Sequence, residues 1–227
     1  KIKRKEYQLF VVEGEKICKE LLKNDFEFES IFATEDLQNE FPLATVCSRK
    51  EIARISHLKS PSNVIAICKI PTYKINSKDK KPLIFLDNVN DPGNLGTIIR
   101  TLDWFGYKQL FCSKNTVDCF NNKSVMSSMG SIFRINCHYI DFDEFQQLFP
   151  QHVTYGTSLN GENIDSIRLG TNSIIVIGNE SNGISKKIMD KLNNTIRIPG
   201  VGNAESLNVS VATGIVLNEL GKINPQK

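Results

Sequence analysis

The sequence predicts an α/β protein in which a parallel-sheet domain follows a smaller α/β domain. Three observations carry that prediction. From residue 83 onward, short apolar runs alternate with helix-period segments, the pattern of a parallel sheet covered on both faces. The first 70 or so residues show the same alternation on a smaller scale. Between the two lies PTYKINSKDKKP, residues 71–82, which is polar, charged and bounded by prolines; that is linker composition. The expected division is residues 1–71, a linker at 72–82, and residues 83–227.

In the first part, the apolar run 9–12 reads as a strand. Residues 13–22 follow as a helix with Ile17, Cys18, Leu21 and Leu22 on one face. Strands at 27–33 and 44–47, a short helix at 49–55 and a strand at 63–70 complete it. In the second part the reading is strand 83–87, helix 94–105, strand 107–112, helix 119–129, strand 134–140 and helix 142–149. Strands 153–158 and 173–178, helix 184–192, strand 195–198 and helix 206–221 finish the chain. On helix 94–105 the apolar stripe is Leu95, Ile98, Ile99, Leu102 and Phe105.

The last of these segments organises the rest. The β-branched run 195–198 meets Pro199, which cannot continue a ladder. Gly200 and Gly202 read as positions that free the backbone, and Ser206 as an N-cap. Leu207, Val211, Ile215 and Val216 follow at helical spacing, and Val209, Ala212 and Leu220 widen that face. The helix is therefore expected to be buried, with apolar surface beyond what one side of a sheet requires. A polar glycine-rich loop feeding such a helix offers free N–H groups to a small polar ligand. It is equally an ordinary strand–loop–helix joint.

Composition is that of an ordinary soluble globular chain: 227 residues, 23% charged, 40% hydrophobic, net charge +3. No run of about 18 apolar residues is present, so no membrane span is expected. No leader is expected either, because no apolar core follows the basic opening. Six scattered cysteines without a C-x-x-C pair argue against zinc and for buried thiols in a reducing cytoplasm. Residues 1–81 hold 16 Lys and Arg against 12 Asp and Glu, while the remainder holds 12 against 13. A phosphate backbone would prefer the first part, although a solvated basic face without a partner gives the same count.

Two phosphate motifs fail. Gly178–Ser185 nearly spells a P-loop, but Ile184 stands where the lysine belongs and Glu180 adds negative charge. Gly200-Val-Gly202 ends at Glu205, so the dinucleotide fingerprint is broken too. His57, His138 and His152 lack ligand spacing. Trp104 is expected to pack near the seam of helix 94–105. Arg100, nearly opposite the apolar stripe and grouped with Gly96, Thr97 and Asp103, reads on its own as a solvent-facing arginine.

Three stretches carry a resemblance. Asn88, Asp91, Pro92, Asn94, Gly96 and Arg100 are similar to the first motif of the SpoU (TrmH-like) RNA ribose 2′-O-methyltransferases of the SPOUT superfamily. Gly178, Glu180, Gly183 and Ile184 resemble its second motif. Ile198, Pro199, Gly202 and the run 205–212 (ESLNVSVA) resemble its third. SSMGSIFR (127–134) is a weaker match, with Met126 where relatives often carry arginine. The resemblance implies a deep trefoil knot in the C-terminal domain and a preceding substrate-binding domain similar to ribosomal L30e. It also implies S-adenosylmethionine as cofactor, RNA (rRNA or tRNA) as partner, and a homodimer through the C-terminal domain.

By the same resemblance, Gly178, Ile198 and Leu207 supply backbone contacts to the cofactor, and Thr157 closes its pocket. Glu180 and Asn208 belong to that pocket as well, Glu180 alternatively capping backbone N–H groups. Arg100 is placed at the acceptor ribose, with Asn94 orienting it or the substrate; Asn94 also suits a helix N-cap. A ribose hydroxyl is a poor nucleophile. A guanidinium is normally protonated, so positioning and charge stabilisation are favoured, with base action left open. A catalytically silent RNA-binding protein and a base methyltransferase are the alternatives. The N-x-x-x-x-x-R spacing and SLNVSVA favour ribose methylation.

Overall fold

The computed structural model describes residues 2–24 and 26–223; Lys1, Asp25 and the last four residues of the 83–227 domain lie outside them. The first part contains α1 (Ile2–Tyr7), β1 (Leu9–Glu13), α2 (Glu15–Lys23), β2 (Phe28–Ala33), β3 (Thr45–Val46), α3 (Arg49–Ile55) and β4 (Val64–Lys69). Its sheet runs β1-β4-β2-β3, antiparallel except for the β2–β3 pair. The basic opening is a helix, α1, which apolar periodicity does not signal. At α3, Ser48 accepts from the Glu51 N–H while the Glu51 carboxylate accepts from the Ser48 N–H, a reciprocal cap.

The second part contains β5 (Leu83–Leu86), α4 (Pro92–Trp104), β6 (Gln109–Cys112), α5 (Asn122–Ser128), β7 (Asn136–Tyr139) and α6 (Phe142–Leu148). It continues with β8 (Val153–Asn163), β9 (Ser173–Ile177), α7 (Lys186–Met189), β10 (Asn194–Arg197) and α8 (Val209–Ile223). Its six strands lie in the order β10-β8-β9-β5-β6-β7, all parallel. Strand alternation sorts side chains to two faces. Ile84, Leu86, Leu110, Ile175 and Ile177 join a core with Leu95, Ile98, Ile99 and Leu102 of α4 and Val216, Leu217 and Leu220 of α8. Leu83, Phe85, Phe111, Ile174 and Val176 face the other way, onto Phe142 and Phe145 of α6 and Ile188 of α7.

The first of these cores does not stop at the linker. Phe10 packs on Phe120, and Phe26 on Phe133, with ring centroids 4.5 and 5.0 Å apart. Arg134 donates to Asp103 and to Glu20 of α2, both at 2.8 Å, and Arg4 pairs with Asp118. The linker itself is fastened to the second sheet. Asn76 and Gln109 exchange two hydrogen bonds, and the Lys81 ammonium donates to the Phe105 carbonyl at 2.6 Å.

Candidate active site

The loops after β5, β9 and β10 leave from the carboxyl ends of strands of the parallel sheet, the edge where open α/β sheets bind ligands. The first loop turns through Asn88, a non-glycine residue at φ 56°. It enters α4 with Asp91 as the N-cap, its carboxylate accepting from the Asn94 N–H at 2.8 Å, and Pro92 in the first turn. That bond, aided by Lys123, outweighs the cost of burial and holds the Asp91 carboxyl below the usual carboxylate range. Asn94 is therefore not the cap, which leaves its side chain free for other work.

That side chain joins all three loops. Its amide donates to the Glu180 carboxylate, and its carbonyl oxygen accepts from the Asn208 side-chain amide at 3.0 Å. The two bonded pairs span 86 and 114 residues of sequence. Glu180 is thus tied to a side chain rather than to the backbone N–H groups that the capping alternative named. Two residues that sequence reasoning did not single out fix the loops further. Asp87, buried at the end of β5, accepts from the Ser185 N–H. Asn179 donates from its side chain to the Asn88 carbonyl at 2.8 Å and accepts from the N–H groups of Ser181 and Asn182. The available signal is a carboxylate ending an otherwise apolar strand, and an asparagine opening a glycine-bracketed turn.

Gly178 is required by close packing: a Cβ there would collide with the Gly183 carbonyl group and the Ile184 nitrogen. Gly96 likewise lets α4 approach α5, where a Cβ would run into the Ser124 carbonyl oxygen. Gly200 and Gly202 differ from expectation. Neither lies in the left-handed region and neither has a neighbour within 4 Å, so this chain's own fold does not demand glycine there. Thr157 sits within β8, not in a free loop, and its hydroxyl reaches the Val176 carbonyl at 3.4 Å. Pairing with β10 jumps from Gly156 to Glu162 while β10 advances by one residue. Thr157 therefore opens a stretch that stands away from its neighbour strand at the same edge.

α8 begins three residues later than expected. Asn208 rather than Ser206 caps it, its side chain accepting from the Ser210 N–H at 2.9 Å, and 206–208 remain loop. The helix is not buried all round either. Val209, Thr213, Val216, Leu217 and Leu220 face the core, while Leu207 and Val211 are 45% and 51% exposed. Ile198 is half-buried.

Arg100 is exposed on α4 and has no hydrogen-bond or ion-pair partner among the described residues. Six residues beyond Asn94, it sits roughly 9 Å along the helix and about 240° around it. The chain's own Asn94–Glu180–Asn208 junction and Arg100 thus occupy different sides of α4. Trp104 is 86% exposed, against the expected packing in the helix seam, and Met126 is half-buried against the core. His138 is buried and stacks on Phe111, and all six cysteines are free. No group of three or more metal-ligating side chains occurs among the described residues.

The loop 199–208 carries no basic side chain and displays exposed Val201 and Leu207. Apolar surface, free backbone groups and the carboxylates of Glu180 and Glu205 fit an adenosine-bearing sulfonium such as S-adenosylmethionine better than any phosphate ligand.

Three motif loops are thus joined at the carboxyl edge of one parallel sheet, and the family that the chain matches implies a deep trefoil knot there. The chain belongs to the SpoU rRNA Methylase family, whose sequence profile matches residues 81–218. Residues 1–66 match the MRM3-like substrate binding domain. The chain is 30% identical to the 23S rRNA (guanosine(2553)-2′-O)-methyltransferase RlmP of Bacillus subtilis, covering 97% of this chain and 91% of that protein. The AdoMet-bound rRNA methyltransferase from Sinorhizobium meliloti superposes with a TM-score of 0.86 at 27% identity, over 98% of this chain and 90% of that one. The TrmH/SpoU tRNA modifying enzyme of Aquifex aeolicus matches 65% of this chain and 77% of its own, with 28% identity and a TM-score of 0.55.

Proposed function

We propose that this protein methylates a ribose 2′-hydroxyl of RNA with S-adenosylmethionine as donor, and that ribosomal RNA is its substrate. The observation that carries the reading is the Asn94 side chain, which locks the three family motifs into one site. Ribosomal rather than transfer RNA is favoured because the relatives matched over both parts of the chain, RlmP and the S. meliloti protein, are named for rRNA. The tRNA enzyme matches only 65% of the chain.

The cofactor supplies an electrophilic methyl group on sulfonium. Gly178, Ile198 and Leu207 hold it through backbone groups, and Thr157 borders it from β8. Glu180 and Asn208 fix Asn94, so that the loops keep one geometry. Arg100 holds the acceptor strand and stabilises negative charge developing on the 2′-oxygen. Residues 1–71 form the substrate-binding domain, 72–82 the connection, and 83–227 the catalytic domain. The chain works as a homodimer in the cytoplasm: exposed Val211 of α8 and Leu207 of the loop before it form the contact, and Arg100 of one subunit completes the cofactor site of the other. The placement of Arg100 away from its own chain's junction supports this arrangement.

Incubation of the purified protein with radiolabelled S-adenosylmethionine and either unmodified 23S rRNA or unmodified tRNA tests the substrate. Label enters the rRNA; incorporation into tRNA alone overturns the assignment.

A further inference from the structure

A second feature lies beside Arg100, built otherwise from residues to which the proposed cofactor site gives no role. Between α4 and the N-terminal domain runs a groove of about 740 Å³ lined by Lys16 of α2, by Arg100 and Trp104 of α4, and by Met129 and Arg134. Among the aromatic side chains of the described residues only Tyr7 and Trp104 are exposed, and Trp104 is 86% so. The other groove groups are committed. The Thr97 and Thr101 hydroxyls donate to carbonyls one turn back on α4, and Arg134 is neutralised by Asp103 and Glu20. Lys16 and Arg100 remain exposed, with no ion-pair partner among the described residues. The groove therefore offers two uncompensated positive charges and one exposed indole.

That combination matches a single-stranded polynucleotide: cations for phosphate, and a flat π-surface for a base. Trp104 stands four residues beyond Arg100, hence on the same side of α4 and about 6 Å along it, close to the span of one extended nucleotide. We propose that Trp104 stacks the base of a nucleotide adjacent to the methylated one, while Lys16 of the N-terminal domain holds its phosphate. The inference rests on the RNA methyltransferase reading and adds a recognition residue to it. It requires the target to be unpaired at that position, because a base inside a duplex has no free face. The N-terminal domain thereby does more than add charge. It forms one wall of the groove and sets how far the Lys16 ammonium stands from the indole.

Trp104 is the sole tryptophan of the chain, so its emission reports on this site alone. The full-length protein is titrated with a fluorescein-labelled ten-nucleotide oligoadenylate and, separately, with an RNA hairpin of equal charge. Anisotropy of the label follows binding, and an unlabelled series follows indole emission. The expected result is saturable quenching by oligoadenylate at the midpoint set by anisotropy, with weak quenching by the hairpin. Trp104→Ala weakens oligoadenylate binding about tenfold, within the range for loss of one stacked base. Trp104→Phe restores most of it, and calorimetric S-adenosylmethionine binding is unchanged in both.

Binding without quenching overturns the stacking role and leaves the methyltransferase reading intact. No binding of any RNA, with no methyl incorporation, overturns both. Emission that shifts to the blue as RNA-free protein is concentrated, with loss of acrylamide quenching, shows that a second copy covers Trp104, and the proposal falls.

Discussion

Replacing Asn94 tests the junction on which the site depends. Asn94→Ala removes one charge-assisted hydrogen bond, to Glu180, and one neutral bond, from Asn208. Undiscounted, these amount to about 1.5–3 and 0.5–1.5 kcal/mol. Asn94 and Glu180 are half-buried and Asn208 is exposed, so the combined loss is nearer ~2 kcal/mol. For a chain of this size that lowers Tm by roughly 4–8 °C. If the loops must be re-ordered on binding, S-adenosylmethionine affinity falls by up to about 30-fold.

Asn94→Asp is the sharper variant. It retains the acceptor for Asn208 but sets a second carboxylate against Glu180, a repulsion on the order of 3 kcal/mol at an intermediate permittivity. It is therefore less stable than Asn94→Ala at pH 7. Adding Glu180→Gln re-creates the bond with donor and acceptor exchanged, so the double variant recovers most of the loss. Thermal unfolding and calorimetric titration of the wild type, Asn94→Ala, Asn94→Asp, Glu180→Gln and the double variant complete the cycle. Equal stability of the Asp and Ala variants, with no recovery in the double variant, would refute the junction.

Arg100→Ala is expected to lower methyl transfer by about 10²- to 10⁴-fold, with S-adenosylmethionine binding intact and stability within about 0.5 kcal/mol. Mixed subunits of Arg100→Ala and Leu207→Arg, each inactive alone, regain part of the activity if the site is shared; active dimers without rescue place Arg100 in its own subunit's site. Arg134→Ala separates α2 from α4 and costs about 2–3 kcal/mol, measured by denaturant unfolding. Burial opposes ionisation of Asp103 and Glu20, but Arg134, with Ser131 and Lys23, outweighs it and holds both carboxyls low. Their contribution is present above the unfolded-state value and is lost as pH falls through about 4 and below, so the Arg134→Ala variant shows a shallower acid slope there. Gly178→Ala collides with the Gly183 backbone and abolishes cofactor binding, whereas Gly202→Ala meets nothing within 4 Å and leaves thermal stability unchanged.

The sheet is legible in the sequence because its strands are fully apolar runs. LIFL and SIIVI face a helix layer on either side, and that pattern has no other home in a chain of this composition. Boundaries at the functional edge are less so. Apolar periodicity puts a helix at 206–221, yet Leu207 and Val211 belong to surface rather than core. Asn208, not Ser206, provides the cap, because its side chain is held by Asn94 from another motif. Packing is the natural expectation for Trp104 because tryptophans are mostly buried. Its exposure depends on where α2 and α4 stand across the linker, and no local pattern encodes that. Asp87 and Asn179 escape sequence reasoning for the same reason. Their partners, Ser185 and Asn88, are 98 and 91 residues away. The three motifs are visible as spacing, but their meeting at one asparagine is a property of the fold.

Alkaline hydrolysis of the reacted RNA tests the central claim most directly. A 2′-O-methyl group blocks attack of that oxygen on the neighbouring phosphate, so the linkage at a methylated ribose resists alkali while all others are cleaved. After incubation of 23S rRNA with the protein and labelled S-adenosylmethionine, the account predicts label in an alkali-resistant dinucleotide at one position, absent with Arg100→Ala. Label released entirely as mononucleotides would place the methyl group on a base and contradict it.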